Sequence, residues 1–169
     1  MTGRDATNVD GFTLRPFRPG DEVAVVALNA YGLAAAGIPL DQDYYAGEDT
    51  ADIARTYSEA AGGLMLVGEV DAKIVAMGAI RRLDMRTCEI LRMRVYSKYH
   101  GRGYGRAVLR LLEQEAQRLG YRRATLITGE DQHPAIDLYR RHGYRIGRRE
   151  ILIGIRSVHM SKDLGPAES

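Results

Sequence analysis

His100-Gly101-Arg102-Gly103-Tyr104-Gly105-Arg106-Ala107 stands between a strand-like run and the most regular helical pattern in the chain. Upstream, residues 64–70, 73–82 and 87–96 read as three strands. The links Asp71-Ala72 and LDMR between them are short, so they should pair as an antiparallel meander. Downstream, Ala107, Val108, Leu111, Leu112, Ala116 and Leu119 recur at helical spacing, interrupted only by Glu115, and Gly120 closes the helix. Glycines 101, 103 and 105 at the mouth of that helix permit positive φ and let a ligand approach the backbone closely. The first N–H groups of a helix lack intrahelical partners and lie in positive potential. Strand, glycine loop and helix start thus make a phosphate site, with Arg102 and Arg106 adding charge beside it. The alternative is a turn whose glycines only reverse the chain.

The flanking segments supply the rest of the architecture. Residues 12–17 read as a first strand and 21–36 as a helix with Val25, Val26, Leu28 and Leu33 on one face. A polar loop leads to a second helix over 50–60, which Gly62-Gly63 ends. After the central helix come a strand at 123–128, a helix at 134–142 capped by Gly143, and strands at 144–150 and 154–162. The order is β-α-α-β-β-β-α-β-α-β-β. Counted from residue 12, the fourth strand, third helix and fifth strand form a right-handed crossover. It makes two strands parallel within an otherwise antiparallel sheet of six to seven strands, a mixed α/β (α+β) architecture. One domain is expected over 12–164, with a disordered lead at 1–11 and a tail at 165–169.

Composition narrows the function. The 169 residues, 45% hydrophobic and 27% charged, suffice for one domain with its own core. No apolar run approaches the ~20 residues that span a bilayer. MTGRDATNVDG lacks the apolar core of a signal segment, so a cytoplasmic protein is expected, without a membrane partner. A net charge of +2 is too small to argue for nucleic acid. Cys88 is the sole cysteine, which removes an internal disulfide and a cysteine-based zinc site; no metal is expected. Lysines are confined to Lys73, Lys98 and Lys162, and arginines crowd residues 81–110. That density suits a polyanionic ligand or a solvated basic face. A Walker loop would need Gly-Lys-Ser/Thr, and the alternate glycines do not fit G-x-G-x-x-G.

The octet resembles the acetyl-CoA pyrophosphate loop of the GNAT N-acetyltransferases, whose pattern is Gln/Arg-x-x-Gly-x-Gly/Ala. His100 takes the first position, where the family usually has Gln or Arg, and Gly103 and Gly105 take the glycine positions. Arg102-x-x-Gly105-x-Ala107 satisfies the pattern two residues later. CEILRMRVYSKYHGRGYG is similar to the family's fourth strand running into its loop, and HMSKDL to a common last strand. DQHPAIDLYRRHGYR is similar to its later helix, with Gln132 where Asn is usual. The match is good over about 64–164 and covers the first 60 residues only in element order.

The resemblance implies a GNAT fold, acetyl-CoA as co-substrate and a primary amine of a small molecule or peptide as acceptor, with a homodimer as a common assembly. The cofactor would meet Met93, Arg94 and Val95 on the strand, and Gln132, Ala135 and Tyr139 on the later helix. Loop contacts would come from His100, Gly101, Arg102, Gly103, Tyr104, Gly105 and Arg106. A backbone N–H near Met93 to Val95 would hold the oxyanion.

Acetyl transfer needs a base, an oxyanion donor and an acid for the departing sulfur. Tyr139 is the candidate acid; otherwise it packs on the sheet with its hydroxyl in water. Glu89 is the candidate base, expected to share a strand face with Leu91, Met93 and Val95; otherwise it pairs with Arg81, Arg82 or Arg86. His133 is the other candidate base, or a water chain serves. His100, His142 and His159 read as surface residues, and Cys88 as a buried, inert thiol. Residues 31–60 should specify the acceptor. Tyr31, Asp41, Asp43, Tyr44, Tyr45, Glu48, Asp49 and Asp52 would suit a cationic amine or a solvated loop. The rival function is a catalytically inactive module that binds acyl-CoA.

Overall fold

Apolar strands joined by tight turns build one sheet, and helices cover both of its faces. The computed structural model describes residues 8–39 and 52–167, with side chains from residue 10 onward. The strands are β1 (Asn8–Val9), β2 (Phe12–Pro16), β3 (Leu64–Val70), β4 (Lys73–Arg82), β5 (Thr87–Val95), β6 (Arg123–Gly129), β7 (Arg145–Leu152) and β8 (Ile155–Asp163). The helices are α1 (Glu22–Ala35), α2 (Ile53–Thr56), α3 (Tyr104–Arg118) and α4 (His133–Arg141). The sheet order is β1-β2-β3-β4-β5-β6-β8-β7. Neighbours run antiparallel except β5 and β6, which α3 connects as the expected parallel crossover.

The two faces hold two cores. Under α3 and α4 lie Phe12, Leu66, Ile80, Ile90 and Leu126, met by the α3 stripe Val108, Leu109, Leu112 and Ala116, which has no exposed surface. Under α1 and α2 lie Met65, Val67, Met77 and Leu91, met by Val25, Leu28, Ile53 and Tyr57. Each Leu or Ile buried this way contributes about 1.5–3 kcal/mol. The start of α1 is tied down by charge. Arg15 donates to Asp21 at 2.7 Å and to Glu69 at 2.6 Å, and the Arg15 hydrogen bond holds the Asp21 carboxyl below its ordinary pKa.

Three expectations change in detail. The sheet has an eighth strand, because Asp10-Gly11 (φ 49° and 82°) forms a positive-φ hairpin that pairs Asn8 with Thr13. Asn8 and Val9, within the lead expected at 1–11, thus belong to the sheet, and residues 1–7 lie outside the described residues. The helix expected over 50–60 is one turn, Ile53–Thr56, followed by a 3₁₀ turn at Glu59–Ala61. Asp52 caps the first piece, and Ser58, with extended backbone, caps the second through Ala61 N–H at 3.2 Å. A serine offering its own hydrogen bond thus divides the run. Thr50 and Ala51 lie outside the described residues.

The third change concerns β5. Met77 pairs with Arg94 and Ala79 with Leu91, so Gly78 alone faces Arg92 and Met93, a β-bulge with Arg92 at φ +57°. A Cβ on Gly78 would lie 2.7 Å from Met93 Sδ and 2.7 Å from Val108 Cγ1, so any larger residue opposite the bulge must displace core side chains. The extra residue reverses the alternation of the strand. Leu91 joins the core under α1, whereas Met93 and Val95 pack against the core under α3. The face expected to hold Glu89, Leu91, Met93 and Val95 together is therefore split at Arg92.

Candidate active site

β5 and β6 pair only at Thr87–Arg123, Cys88–Ala124 and Glu89–Thr125. Beyond that point β5 runs on to Val95 and β6 to Gly129 without pairing to each other. The bulge at Arg92 bends β5 at the start of this gap. A cavity of about 220 Å³ opens there, walled by Met93 and Arg94 of β5, Thr128 of β6, Ala135 and Tyr139 of α4, and the β7–β8 hairpin. Arg92 itself is buried, and its Nη1 donates to Asn29 Oδ1 of α1 at 3.2 Å. A left-handed φ on a non-glycine residue costs about 1–3 kcal/mol. The surrounding core and the contact with Asn29 hold the bulge in place.

The glycine loop begins where β5 ends. His100 Nε2 lies 2.8 Å from the Val95 carbonyl oxygen, which ties the loop back to the strand. Gly101 and Gly103 have φ of +76° and +82°, and nothing lies within 4 Å of a Cβ placed on either. Gly103 is the N-cap of α3; no side chain caps that end, and its first turn has no acid. Tyr104 is buried and stacks on Phe12 at 3.9 Å between ring centroids, so its ring is structural and its backbone faces the loop. A Cβ on Gly105 would lie 3.6 Å from Leu138 of α4 and 3.9 Å from Val95 of β5. The start of α3 therefore sits against the two elements that wall the cavity. Arg102 and Arg106 are exposed beside it, with Arg102 over the Tyr99 ring at 5.4 Å.

Tyr139 is buried in the cavity wall, edge-to-face with Tyr144 at 5.7 Å. Burial pushes its hydroxyl up to about 12, with the charge of Arg94 pulling the other way. No hydrogen-bond partner for that hydroxyl occurs among the described residues. It is a protonated donor facing a gap at neutral pH.

Of the other residues read from sequence, Met93, Arg94, Gln132 and Ala135 line the same cavity as Tyr139. Val95 lies at the end of β5, where it contacts the loop. Glu89 does not line the cavity. It is buried at the closed end of the strand pair, where its Oε1 accepts from Arg81 Nη2 at 2.7 Å. His133 is exposed at the first position of α4 and also lies off the cavity. His142 bonds the Leu138 carbonyl and His159 bonds Glu150. Cys88 has no exposed surface, and burial pushes its thiol up to about 12, which leaves it no thiolate character. Tyr31 donates to Ser97, and Asp52 caps α2. Asp41, Asp43, Tyr44, Tyr45, Glu48 and Asp49 lie outside the described residues.

Sequence reasoning missed Arg92, Asn29 and the part that the β7–β8 hairpin takes in the cavity wall. Two arginines inside the apolar run CEILRMRV, and four apolar residues continuing through a turn at Ile151-Leu152-Ile153-Gly154-Ile155, were the available signals. Among the described residues no group of His, Cys, Asp or Glu side chains could hold a metal ion, and no helix is long and apolar enough to cross a membrane.

Known proteins share this fold. N-acetyltransferase family 8 member 2 of Rattus norvegicus is 28% identical over 127 residues, which cover 69% of this chain and 56% of that protein. The chain spans about half the length of the curated relatives it matches. An acetyltransferase from Streptococcus agalactiae has the same fold, with a TM-score of 0.79 and 21% identity over 92% of this chain and 99% of that one. A GNAT family acetyltransferase from Elizabethkingia anophelis with acetyl-CoA bound gives 0.67 and 17%, over 92% and 99%. The model of the acetyltransferase (GNAT) family matches residues 36–144, more than half of the 169 residues, and the chain belongs to that family.

Proposed function

We propose that this chain moves an acetyl group from acetyl-CoA to a primary amine of a small molecule or peptide, by direct attack of the amine in a ternary complex. The observation that carries this is the gap between β5 and β6. It opens where pairing stops, holds Tyr139 in one wall, and adjoins the glycine loop through Val95. Family membership supports the same reaction, and the acetyl-CoA bound to the Elizabethkingia anophelis protein supports the same co-substrate.

The loop fits a diphosphate. Its glycines leave open space where side chains would stand, and the uncapped first turn of α3 offers N–H groups and positive potential. The amides of Arg102, Gly103, Gly105 and Arg106 would take the phosphate oxygens, with the two guanidinium groups beside them. β6 does not pair with Met93, Arg94 or Val95, so a backbone N–H of this stretch can donate to the acetyl oxygen as it gains charge. Gln132 and Ala135 complete the wall toward Tyr139. Tyr139 holds its proton at neutral pH and can hand it to the departing sulfur.

For the base we favour Glu89 acting through water over His133. Glu89 is buried at the closed end of the same strand pair, whereas His133 is exposed. A cytoplasmic setting suits a chain whose sole cysteine is buried.

Acetyl-CoA at 100 times its Kd should stabilise the fold by about 2.7 kcal/mol. For a chain of this size the thermal midpoint should rise by about 5–10 °C, with no rise from ATP or NAD. The absence of any rise at millimolar acetyl-CoA would reduce the glycine loop to a turn. A rise with no CoA released to any amine would mark a binding module without catalysis.

A further inference from the structure

The β7–β8 hairpin reverses through Ile153-Gly154, with Leu152 paired to Ile155 and positive φ at both turn residues, 48° and 75°. Such turns favour Asn-Gly or Asp-Gly. Isoleucine is among the worst residues there, because its branched Cβ crowds the left-handed backbone. Ile153 also gains little by burial, being 47% exposed. Strain so little offset by burial is a feature of residues that meet a ligand. Ile153 lines the cavity between β5 and β6, flanked by Leu152 and Ile155, with Leu33 and Ile38 from the end of α1 among the other apolar residues there. These apolar residues form one rim of the cavity, opposite the wall of Gln132, Ala135 and Tyr139 that would meet the cofactor. Among the described residues the charged groups of the lining are Arg92 and Arg94, which favour an amine that enters neutral over a polycation.

We propose that the acceptor is a small primary amine carried on a compact apolar body, which lies against Ile153 at the rim of this cavity. The proposal rests on acetyl transfer at the same site. The amine nitrogen bonds to the acetyl carbon and the carbon–sulfur bond breaks. The neutral nitrogen releases one proton to water or Glu89, the sulfur takes one from Tyr139, the released proton restores the Tyr139 hydroxyl through water, and the products are the amide and free CoA.

The test is steady-state CoA release with 2-phenylethylamine, spermidine and an alanyl peptide as acceptors, in the unaltered chain, Ile153→Asn and Ile151→Thr. Ile151 is on the same hairpin and 68% exposed, but it does not line the cavity. In the unaltered chain 2-phenylethylamine should exceed both other amines in kcat/KM by at least about tenfold. Ile153→Asn should lower kcat/KM for 2-phenylethylamine about tenfold, mostly through KM. The same change should raise the thermal midpoint by about 2–4 °C, since asparagine relieves the turn. Ile151→Thr should leave the kinetics unchanged. Loss of activity alongside a gain of stability separates ligand contact from misfolding. Better turnover of spermidine or the peptide, no CoA release from millimolar 2-phenylethylamine, or unchanged kinetics in Ile153→Asn overturns the acceptor class. The acetyl-transfer reading fails separately, if acetyl-CoA does not raise the thermal midpoint.

Discussion

The two halves of the β5–β6 pair use the same strands and differ in nearly everything else. From Thr87 to Glu89 the strands are hydrogen-bonded, Cys88 has no exposed surface, and Glu89 is neutralised by Arg81. From Arg92 to Val95 pairing with β6 is lost, the backbone carries a left-handed arginine, and Tyr139 faces a gap without a hydrogen-bond partner among the described residues. The closed half satisfies its polar groups internally. The open half leaves backbone and side-chain donors to be satisfied by what binds. A single bulge, permitted by Gly78, marks the boundary between them.

The largest effect should come from the open half. Tyr139→Phe removes the donor and keeps the ring, so kcat should fall about 100-fold while KM for acetyl-CoA changes little. The same variant has a pH signature. In the folded chain the Tyr139 proton is held to about 12, above the ordinary 10.0. That hold contributes stability below about pH 10, which is lost as pH rises through 12, because the unfolded chain releases the proton first. Chemical denaturation between pH 9 and 12 should therefore show a shallower loss of stability in Tyr139→Phe than in the unaltered chain.

Next comes the boundary. Gly78→Ala drives a methyl into Met93 and Val108 and should cost about 1–3 kcal/mol in urea unfolding. A neutral result would mean that the bulge does not depend on its glycine. At the closed half, Glu89→Gln keeps an acceptor for the half-exposed Arg81, so stability should change by about 1 kcal/mol or less. Its kcat should fall about tenfold if Glu89 takes the amine proton through water. An unchanged kcat would leave water alone as the base.

The smallest contrast lies within the loop. Gly103→Ala must adopt a left-handed φ and should cost about 1 kcal/mol while raising KM for acetyl-CoA. Gly105 is helical and meets only ordinary contacts, so Gly105→Ala should leave stability unchanged or raise it by up to about 1 kcal/mol.

Residues that depend on local rules were legible. The α3 stripe, the Asp71-Ala72 hairpin and the glycine loop all follow from spacing and turn chemistry, and the structure places them within a residue or two of expectation. Gly103 is the left-handed N-cap of α3, and His100 Nε2 lies against the Val95 carbonyl oxygen. Arg92 was not legible, because nothing in CEILRMRV demands a positive φ. The demand comes from Gly78 on the next strand and from Asn29 on a distant helix. The same bulge moved Glu89 off the face it was expected to share with Met93, because strand alternation holds only while the ladder is regular. The reversal between the last two strands was legible to within a residue or two, but its place in the cavity wall was not, because that depends on where distant elements bring it.

The stacking of Tyr104 on Phe12 also bears on the order of folding. The loop at the start of α3 is fastened to a strand near the beginning of the chain, across β3, β4 and β5. Contacts so remote in sequence close late, because the intervening loop entropy must be overcome first. α3 itself can coil early from its own neighbours. Its glycine entrance should gain amide hydrogen-exchange protection only after β2 docks, so the most easily recognised segment of the sequence becomes one of the last to reach its final form.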